Sequence, residues 1–313
     1  MAKTIPPAPI FVLGFWRSGT TFLHELLCRD PRFGFPSTYA CLNPAHFLLS
    51  EKKLRNQSDR EVSRAMDNLR YSWASPQEDE FALFAFGAPS AYEVLLVPSL
   101  MSDVNSLLDL QAGSQEQQTL WFSTFDYFLR LLTIQQSEAQ RARPMVLKSP
   151  THGYRMQTLQ KRFPAARYVV IERNPYEVFA SNLKLWRTLI DQYGLERCTD
   201  QEIEDFVLAA YPLHEKLVSE GVRRATPNSV AHVRYEDLEK DPLEQARQVY
   251  ATLQLSDFET VRPRFEEYVA KVSAHVRNRF KLTRVQKERV DRLWGTLIVQ
   301  KKYAWPGDYM DVV

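Results

Sequence analysis

Residues 10 to 24, Ile-Phe-Val-Leu-Gly-Phe-Trp-Arg-Ser-Gly-Thr-Thr-Phe-Leu-His, constrain this chain more than any other stretch. Ile10 to Leu13 is an unbroken apolar run of the kind a buried parallel strand shows, and Phe22, Leu23, Leu26 and Leu27 fall at helical spacing. Between them Gly14 and Gly19 allow the backbone to turn sharply. A strand, loop and helix joined in this way aim several backbone N–H groups and a helix N-terminus at one point, which suits phosphate or sulfate. The spacing Gly14-x-x-x-x-Gly19-Thr20-Thr21 is that of the nucleoside triphosphate P-loop, except that Thr20 stands where that pattern has Lys. The nearest cation in the loop is Arg17, whose planar fork can hold a pair of sulfuryl or phosphoryl oxygens. That displacement argues against ordinary ATP hydrolysis.

Phe15-Trp16-Arg17-Ser18-Gly19-Thr20-Thr21 resembles the 5′-phosphosulfate loop of the sulfotransferases that use 3′-phosphoadenosine 5′-phosphosulfate. The likeness is greatest to the bacterial branch with an Arg in this loop, related to the tyrosylprotein enzymes. That family carries a second signature, a strand ending in Arg followed by a helix with a Ser, and here Arg167 to Glu172 leads into Arg173-Asn-Pro and on to Ser181. The resemblance implies that Arg17, Ser18, Gly19, Thr20 and Thr21 hold the donor's 5′ end. It implies likewise that Arg173 and Ser181 bind its 3′-phosphate, Arg173 as a two-pronged charge partner and Ser181 as a hydroxyl donor. The product would be adenosine 3′,5′-bisphosphate. A segment near residues 271–302 would close over the nucleotide; the Lys-x-Gly-x-x-Gly pattern of the cytosolic members is absent, leaving Arg277, Arg279 and Lys281 as alternatives there. With Lys148 and Tyr235-Glu236-Asp237-Leu238, these motifs cover most of the chain.

Sulfuryl transfer moves a group in line between two oxygens through a loose transition state, so cations are needed on the transferred and bridging oxygens and a base on the acceptor. Arg17 and Lys148 are the expected cations. Lys148 ends the apolar run Met145 to Leu147, where strand-end sites form. For the base, the acidic residue that the tyrosylprotein branch places after the loop helix has no counterpart, since that region reads Phe35-Pro36-Ser37-Thr38-Tyr39. Glu78-Asp79-Glu80 lies instead in an aromatic-rich stretch without Lys or Arg from Tyr71 to Leu129. Desolvation and mutual repulsion would raise a carboxylate's pKa there, so Glu80 and Glu78 are the first expectations for the base. His152, three residues past Ser149, is the rival, while His24 reads as a packed histidine.

The chain has 313 residues, 44% of them hydrophobic and 25% charged, enough for one large globular domain over residues 1–313. Runs ending at Lys148, Glu172 and Arg234, each followed by a helical pattern, predict an α/β fold: a P-loop-like parallel sheet with helices on both faces. A surface helix is expected over 50–70, a long amphipathic helix over 114–140 and a last helix ending near Val299. Residues 71–129 read as a helical, aromatic-rich insertion forming the acceptor side. The net charge of +2 gives no case for nucleic-acid binding, but the acidic 71–129 stretch and the basic 271–292 stretch suggest one end of the site for an anionic donor and another for a neutral or cationic acceptor. Three cysteines without paired spacing argue against a disulfide framework or zinc site and fit a reducing cytoplasm; no metal is required. No apolar run is long enough to cross a bilayer, and the N-terminus does not read as a signal peptide, although it leaves room for an upstream segment to have been removed.

The leading expectation is therefore transfer of a sulfuryl group to a hydroxyl or amine of a small, fairly apolar acceptor, with alcohols, phenols, amines and lipid-like molecules all open. A P-loop kinase using Thr20 or Thr21 on Mg²⁺ is the alternative enzyme, disfavoured by the missing Lys. An inactive nucleotide-binding module is the alternative without chemistry. The sequence does not set the oligomeric state.

Overall fold

A computed structural model describes residues 8–55, 62–63, 70–136, 143–272, 280–307 and 310–312. Strand β1 (Ile10–Leu13) runs into helix α1 (Thr20–Leu27) through the loop identified above. Helices α2 (Phe47–Arg55), α3 (Glu80–Ala85) and α4 (Gln115–Gln135) precede strand β2 (Val146–Lys148), after which a 3-10 turn, Pro150–Arg155, leads into α5 (Met156–Arg162). Strand β3 (Arg167–Glu172) continues into α6 (Pro175–Tyr193) and α7 (Asp200–Arg224), and strand β4 (Val230–Arg234) into α8 (Pro242–Thr252) and α9 (Phe258–Val272). A short strand β5 (Phe280–Leu282), helix α10 (Arg284–Gln300) and strand β6 (Met310–Val312) follow.

The central sheet has the order β2-β1-β3-β4 and every pairing is parallel. Alternate residues of its strands face opposite layers. Phe11, Leu13, Leu147, Tyr168 and Val170 pack against α4, including Trp121, Phe125 and Phe128. Ile10, Val12, Val146, Val169 and Ile171 face the other way, onto α1, α8 and α9 through Leu23, Leu27, Val249 and Phe265. A third cluster joins the loop residues Phe15 and Trp16 to α6, α7 and α10. Strands buried on both sides explain the continuous apolar runs of the sequence. From β1 the chain moves to β2 on one side, and from β3 to β4 on the other. The strand order therefore reverses between β1 and β3, and in sheets of this kind the crevice beyond the carboxyl ends of those strands is where ligands bind.

Several local expectations need correction. Helix α2 ends at Arg55, and Val62–Ser63 pairs antiparallel with Arg70–Tyr71, so the helical reading of 50–70 fails at those strand positions; the remaining residues of that range lie outside the described ones. The helix expected after the run ending at Lys148 begins only at Met156, because Pro150 opens a tighter 3-10 turn. Helix α4 starts on Ser114, whose side chain forms a reciprocal cap with Gln117, and runs to Gln135. The basic C-terminal stretch contains a strand as well as a helix, with β5 pairing parallel to β6.

Candidate active site

Register sets the depth at which the key side chains emerge: Val12 lies level with Lys148 on one side and Val169 on the other. The loop after β1 is shaped by its own residues. Both the Ser18 amide and the Ser18 hydroxyl donate to the Phe15 carbonyl, at 3.1 and 2.7 Å. The Ser18 hydroxyl thus helps to hold the turn. Arg17 takes φ +68°, a left-handed conformation that costs a non-glycine residue about 1–3 kcal/mol and recurs in functional loops. Gly19 has φ +95°, and a Cβ there would lie 2.2 Å from the Tyr235 ring, so only glycine fits. Gly19 is also the N-cap of α1, where no side chain caps the helix and no acid occupies the first turn. The first-turn amides and the positive end of the helix dipole therefore lack an N-cap side chain and a first-turn carboxylate, an arrangement that suits an anion. Thr20 is buried and Thr21 half-buried in that turn.

Arg173, at the end of β3, lies alongside. Its Nε donates to Glu177 Oε2 at 3.0 Å, with a further Nη2 contact to the same oxygen, and its Nη1 reaches the Arg17 carbonyl at 3.3 Å. The guanidinium also stacks 4.3 Å from the centre of the Tyr235 ring. Ser181, two turns into α6, accepts from Arg17 Nε at 2.9 Å, and its own O–H is not used in that bond. Arg17, Arg173 and Ser181 thus meet at one end of the crevice, joined by Tyr235 and Glu177, neither of which the sequence reading assigned a part. The i,i+4 spacing of Arg173 and Glu177 was the available signal for the second.

At the other end the three consecutive carboxylates each meet a different base from one short stretch. Lys148 Nζ donates to Glu78 Oε1 at 2.6 Å. His152 Nε2 bonds Asp79 Oδ2 at 2.8 Å, and Ser149 Oγ donates to Asp79 Oδ1 at 2.9 Å. Arg155 clamps Glu80 through Nη1 and Nη2 at 2.6 and 3.1 Å, while Ser90 and Thr151 donate to the same carboxylate at 2.7 and 2.9 Å. The acidic stretch is therefore compensated from β2 and the turn after it, which overturns the expectation of carboxylates left without cations. Burial would raise the Asp79 carboxyl, but the His152 charge and the His152 and Ser149 hydrogen bonds outweigh it and hold it below the usual range.

Exposure separates the candidate bases. Glu80 and His152 are both 0% exposed, Glu80 enclosed by four donor groups and His152 packed against Phe11, Trp121 and Phe125. Both are therefore enclosed by the protein, whereas the third expected base is not. The Glu78 side chain keeps 13% exposure and lies against buried Lys148. The Tyr92 hydroxyl also donates to Glu78 Oε2, and burial, followed by the Glu78 charge, pushes the Tyr92 phenol well above its ordinary value. Tyr92 was foreseen only as one aromatic of the insertion. Phe81 stacks on Tyr92, and both Phe81 and Phe84 are half-buried.

Of the basic C-terminal residues, Arg277 and Arg279 lie outside the described ones, and Lys281 is exposed on β5. The segment after it does cover the end of β3: Asn174 Nδ2 donates to the Ala304 carbonyl at 2.8 Å, Tyr176 donates to Asp291 at 2.6 Å and stacks edge-on to Trp305, and Lys301 pairs with Glu172. Among the described residues no group of His, Cys and carboxylates has the geometry of a metal site, and no helix is long and apolar enough to cross a membrane.

A parallel sheet with a glycine-turned loop at its order reversal brings two arginines to one end of the site and a Lys–carboxylate pair to the other, an arrangement suited to transfer of an anionic group. The comparisons with known proteins make this specific. The sulfotransferase family model matches residues 9–260, and the chain belongs to that family. It is 38% identical over 302 residues to the omega-hydroxy-beta-dihydromenaquinone-9 sulfotransferase Stf3 of Mycobacterium bovis and of Mycobacterium tuberculosis, covering 96% of this chain and 76% of each relative. Among solved structures, sulfotransferase STF9 from Mycobacterium avium superposes with a TM-score of 0.68 at 20% identity, covering 97% of this chain and 79% of that one. Sulfotransferase STF1 from Mycobacterium tuberculosis gives 0.65 at 19%, covering 93% and 77%; at these identities the two share the fold.

Proposed function

We propose that this sulfotransferase takes its sulfuryl group from 3′-phosphoadenosine 5′-phosphosulfate and passes it to the hydroxyl of an apolar, lipid-like acceptor, with Glu78 as the base. The observation that carries this reading is the Lys148–Glu78 pair at the carboxyl end of β2, one member a buried cation and the other a carboxylate that still reaches solvent. The donor supplies the sulfuryl group and a phosphate leaving group. The uncapped first turn of α1, with Gly19, Thr20 and Thr21, fits the 5′ end, and Arg173 with Ser181 fits the 3′-phosphate.

Glu78 Oε accepts the acceptor's proton as its oxygen bonds to sulfur, and the bond from sulfur to the bridging phosphate oxygen breaks. Lys148 and Arg17 neutralise the charge that grows on that oxygen, and the proton leaves Glu78 for solvent after the sulfate ester departs. Tyr92 holds Glu78 on the opposite side from Lys148 and fixes its orientation. A lipid-like acceptor is supported by the two Stf3 relatives, which are omega-hydroxy-beta-dihydromenaquinone-9 sulfotransferases. The thiols of Cys28, Cys41 and Cys198, all unpaired, fit a reducing cytoplasm.

The test is transfer of ³⁵S-labelled sulfuryl groups from the donor to a panel of long-chain primary alcohols, isoprenoid alcohols, phenols and amines. The expected result is an alkali-stable, labelled monoester on the apolar alcohols. Labelling confined to phenols or amines would overturn the acceptor, and use of ATP in place of the sulfated donor would overturn the donor.

A further inference from the structure

Helix α2 buries a glutamate and exposes two leucines. Phe47 and Glu51, one turn apart, face inward and are buried at 1% and 2%, and Glu51 accepts from Ser37 Oγ at 2.8 Å and from Gln135 Nε2. The outward positions are Leu48 and Leu49, exposed at 37% and 81%, followed by exposed Lys52 and Lys53. Leu42 and Trp73 extend the same region with 46% and 37% exposure. The region is tied together by Tyr39, whose ring lies edge-on to Trp73 at 5.4 Å and whose hydroxyl donates to Ser50 on α2 at 2.9 Å. Among the described residues nothing packs over these leucines, and exposed apolar groups grouped in this way mark an interaction surface.

We infer that this face docks on an anionic lipid surface. Leucines and a tryptophan bordered by lysines are the composition of an interfacial helix, in which the apolar groups enter the headgroup boundary and the ammonium groups meet anionic headgroups. A protein partner fits less well, because lysine is depleted at the centres of protein interfaces. The position also agrees. Trp73 leads along the chain toward Glu78, and that connection is pinned to the strip before α2 by the Ser37 and Pro76 bridge and by the Gln77 amide on the Pro36 carbonyl at 3.0 Å. A lipid-like acceptor leaving the bilayer at Trp73 and Leu42 would arrive beside the carboxylate; this last step rests on the acceptor proposed above, whereas the docking itself does not.

Flotation of the full chain with vesicles tests the docking, using pure phosphatidylcholine and phosphatidylcholine enriched in phosphatidylglycerol. The chain is expected to float with the anionic vesicles about tenfold more than with the neutral ones, and less so as salt is raised. The double variant Leu48→Asn, Leu49→Asn should remain in the pellet fraction, and Lys52→Glu, Lys53→Glu should lose the preference for anionic vesicles. Both should keep wild-type transfer to a short, water-soluble alcohol, which confirms that they are folded. Absence of flotation, or flotation unchanged in the leucine variant, would overturn the proposal. So would a wild-type dimer in solution that the leucine variant splits, since a second copy would then be the occupant. Flotation without transfer to any alcohol would support the docking face and count against the acceptor reading alone.

Discussion

Glu78 and Glu80 are two residues apart and have opposite surroundings, so the same substitution should do different things at each. Glu78→Gln keeps the shape but removes the proton acceptor; kcat is expected to fall by about 10²–10⁴, the scale of general-base catalysis, with donor-product affinity unchanged. Glu80→Gln instead leaves Arg155 buried without its counter-charge. Breaking a buried pair costs about 3–5 kcal/mol, which at this chain length should lower Tm by roughly 5–10 °C in a thermal melt. Loss of turnover in Glu80→Gln with an unchanged melt would reverse these roles. The distinction was not available from the sequence, because Lys148 and Arg155 lie some seventy residues from their partners and nothing local records which carboxylate meets which base.

At the scale of elements, the loop between β1 and α1 is wedged between α6 and the start of the segment after β4. Gly19→Ala would impose a left-handed conformation on a residue that resists it, about 1–3 kcal/mol, and drive its Cβ into the Tyr235 ring that carries the Arg173 guanidinium. The first turn of α1 and the Arg173 guanidinium should be disturbed together, so binding of adenosine 3′,5′-bisphosphate is expected to weaken more than tenfold in calorimetry; normal affinity would show that the contact between Gly19 and Tyr235 is dispensable. What was legible here follows from locality. The strand, loop and helix from Ile10, and the strand from Arg167 with its helix opened by Pro175, declare themselves by contiguous apolar runs and nearby breakers. The late helix start at Met156 and the unexpected pairing of β5 with β6 depend on what packs against them. The long helix α7, which carries Pro212 in its interior, gave no signal that was recognised.

For the whole molecule, pH is the coarsest probe of how charge is buried. His24 is 1% exposed, and burial, with the Lys148 charge adding to it, lowers its pKa from the ordinary 6.5 to about 3. Burial works against Glu215, but the His214 hydrogen bond and the Lys301 charge outweigh it and bring it to about 2. Both groups have folded values below their unfolded ones, so unfolding takes up protons in acid. The His24 contribution is complete above pH 6.5 and is lost as the pH falls toward 3; that of Glu215 is lost below about 4.5. The unfolding free energy from urea titrations should therefore drop between pH 6.5 and 4.5 by roughly 2–3 kcal/mol, and His24→Leu should flatten that slope. Stability that rises on acidification through this range would contradict the burial of a neutral His24.

The central claim is that the crevice between β1 and β3 is a donor site for a 3′-phosphorylated nucleotide, and calorimetric titration with adenosine 3′,5′-bisphosphate tests it most directly. The wild type should bind without added metal, Arg173→Ala should bind at least tenfold more weakly, about 1.4 kcal/mol, and ATP with Mg²⁺ should not substitute. Binding of ATP with Mg²⁺ that Arg173→Ala leaves intact, with no binding of the bisphosphate, would contradict the account.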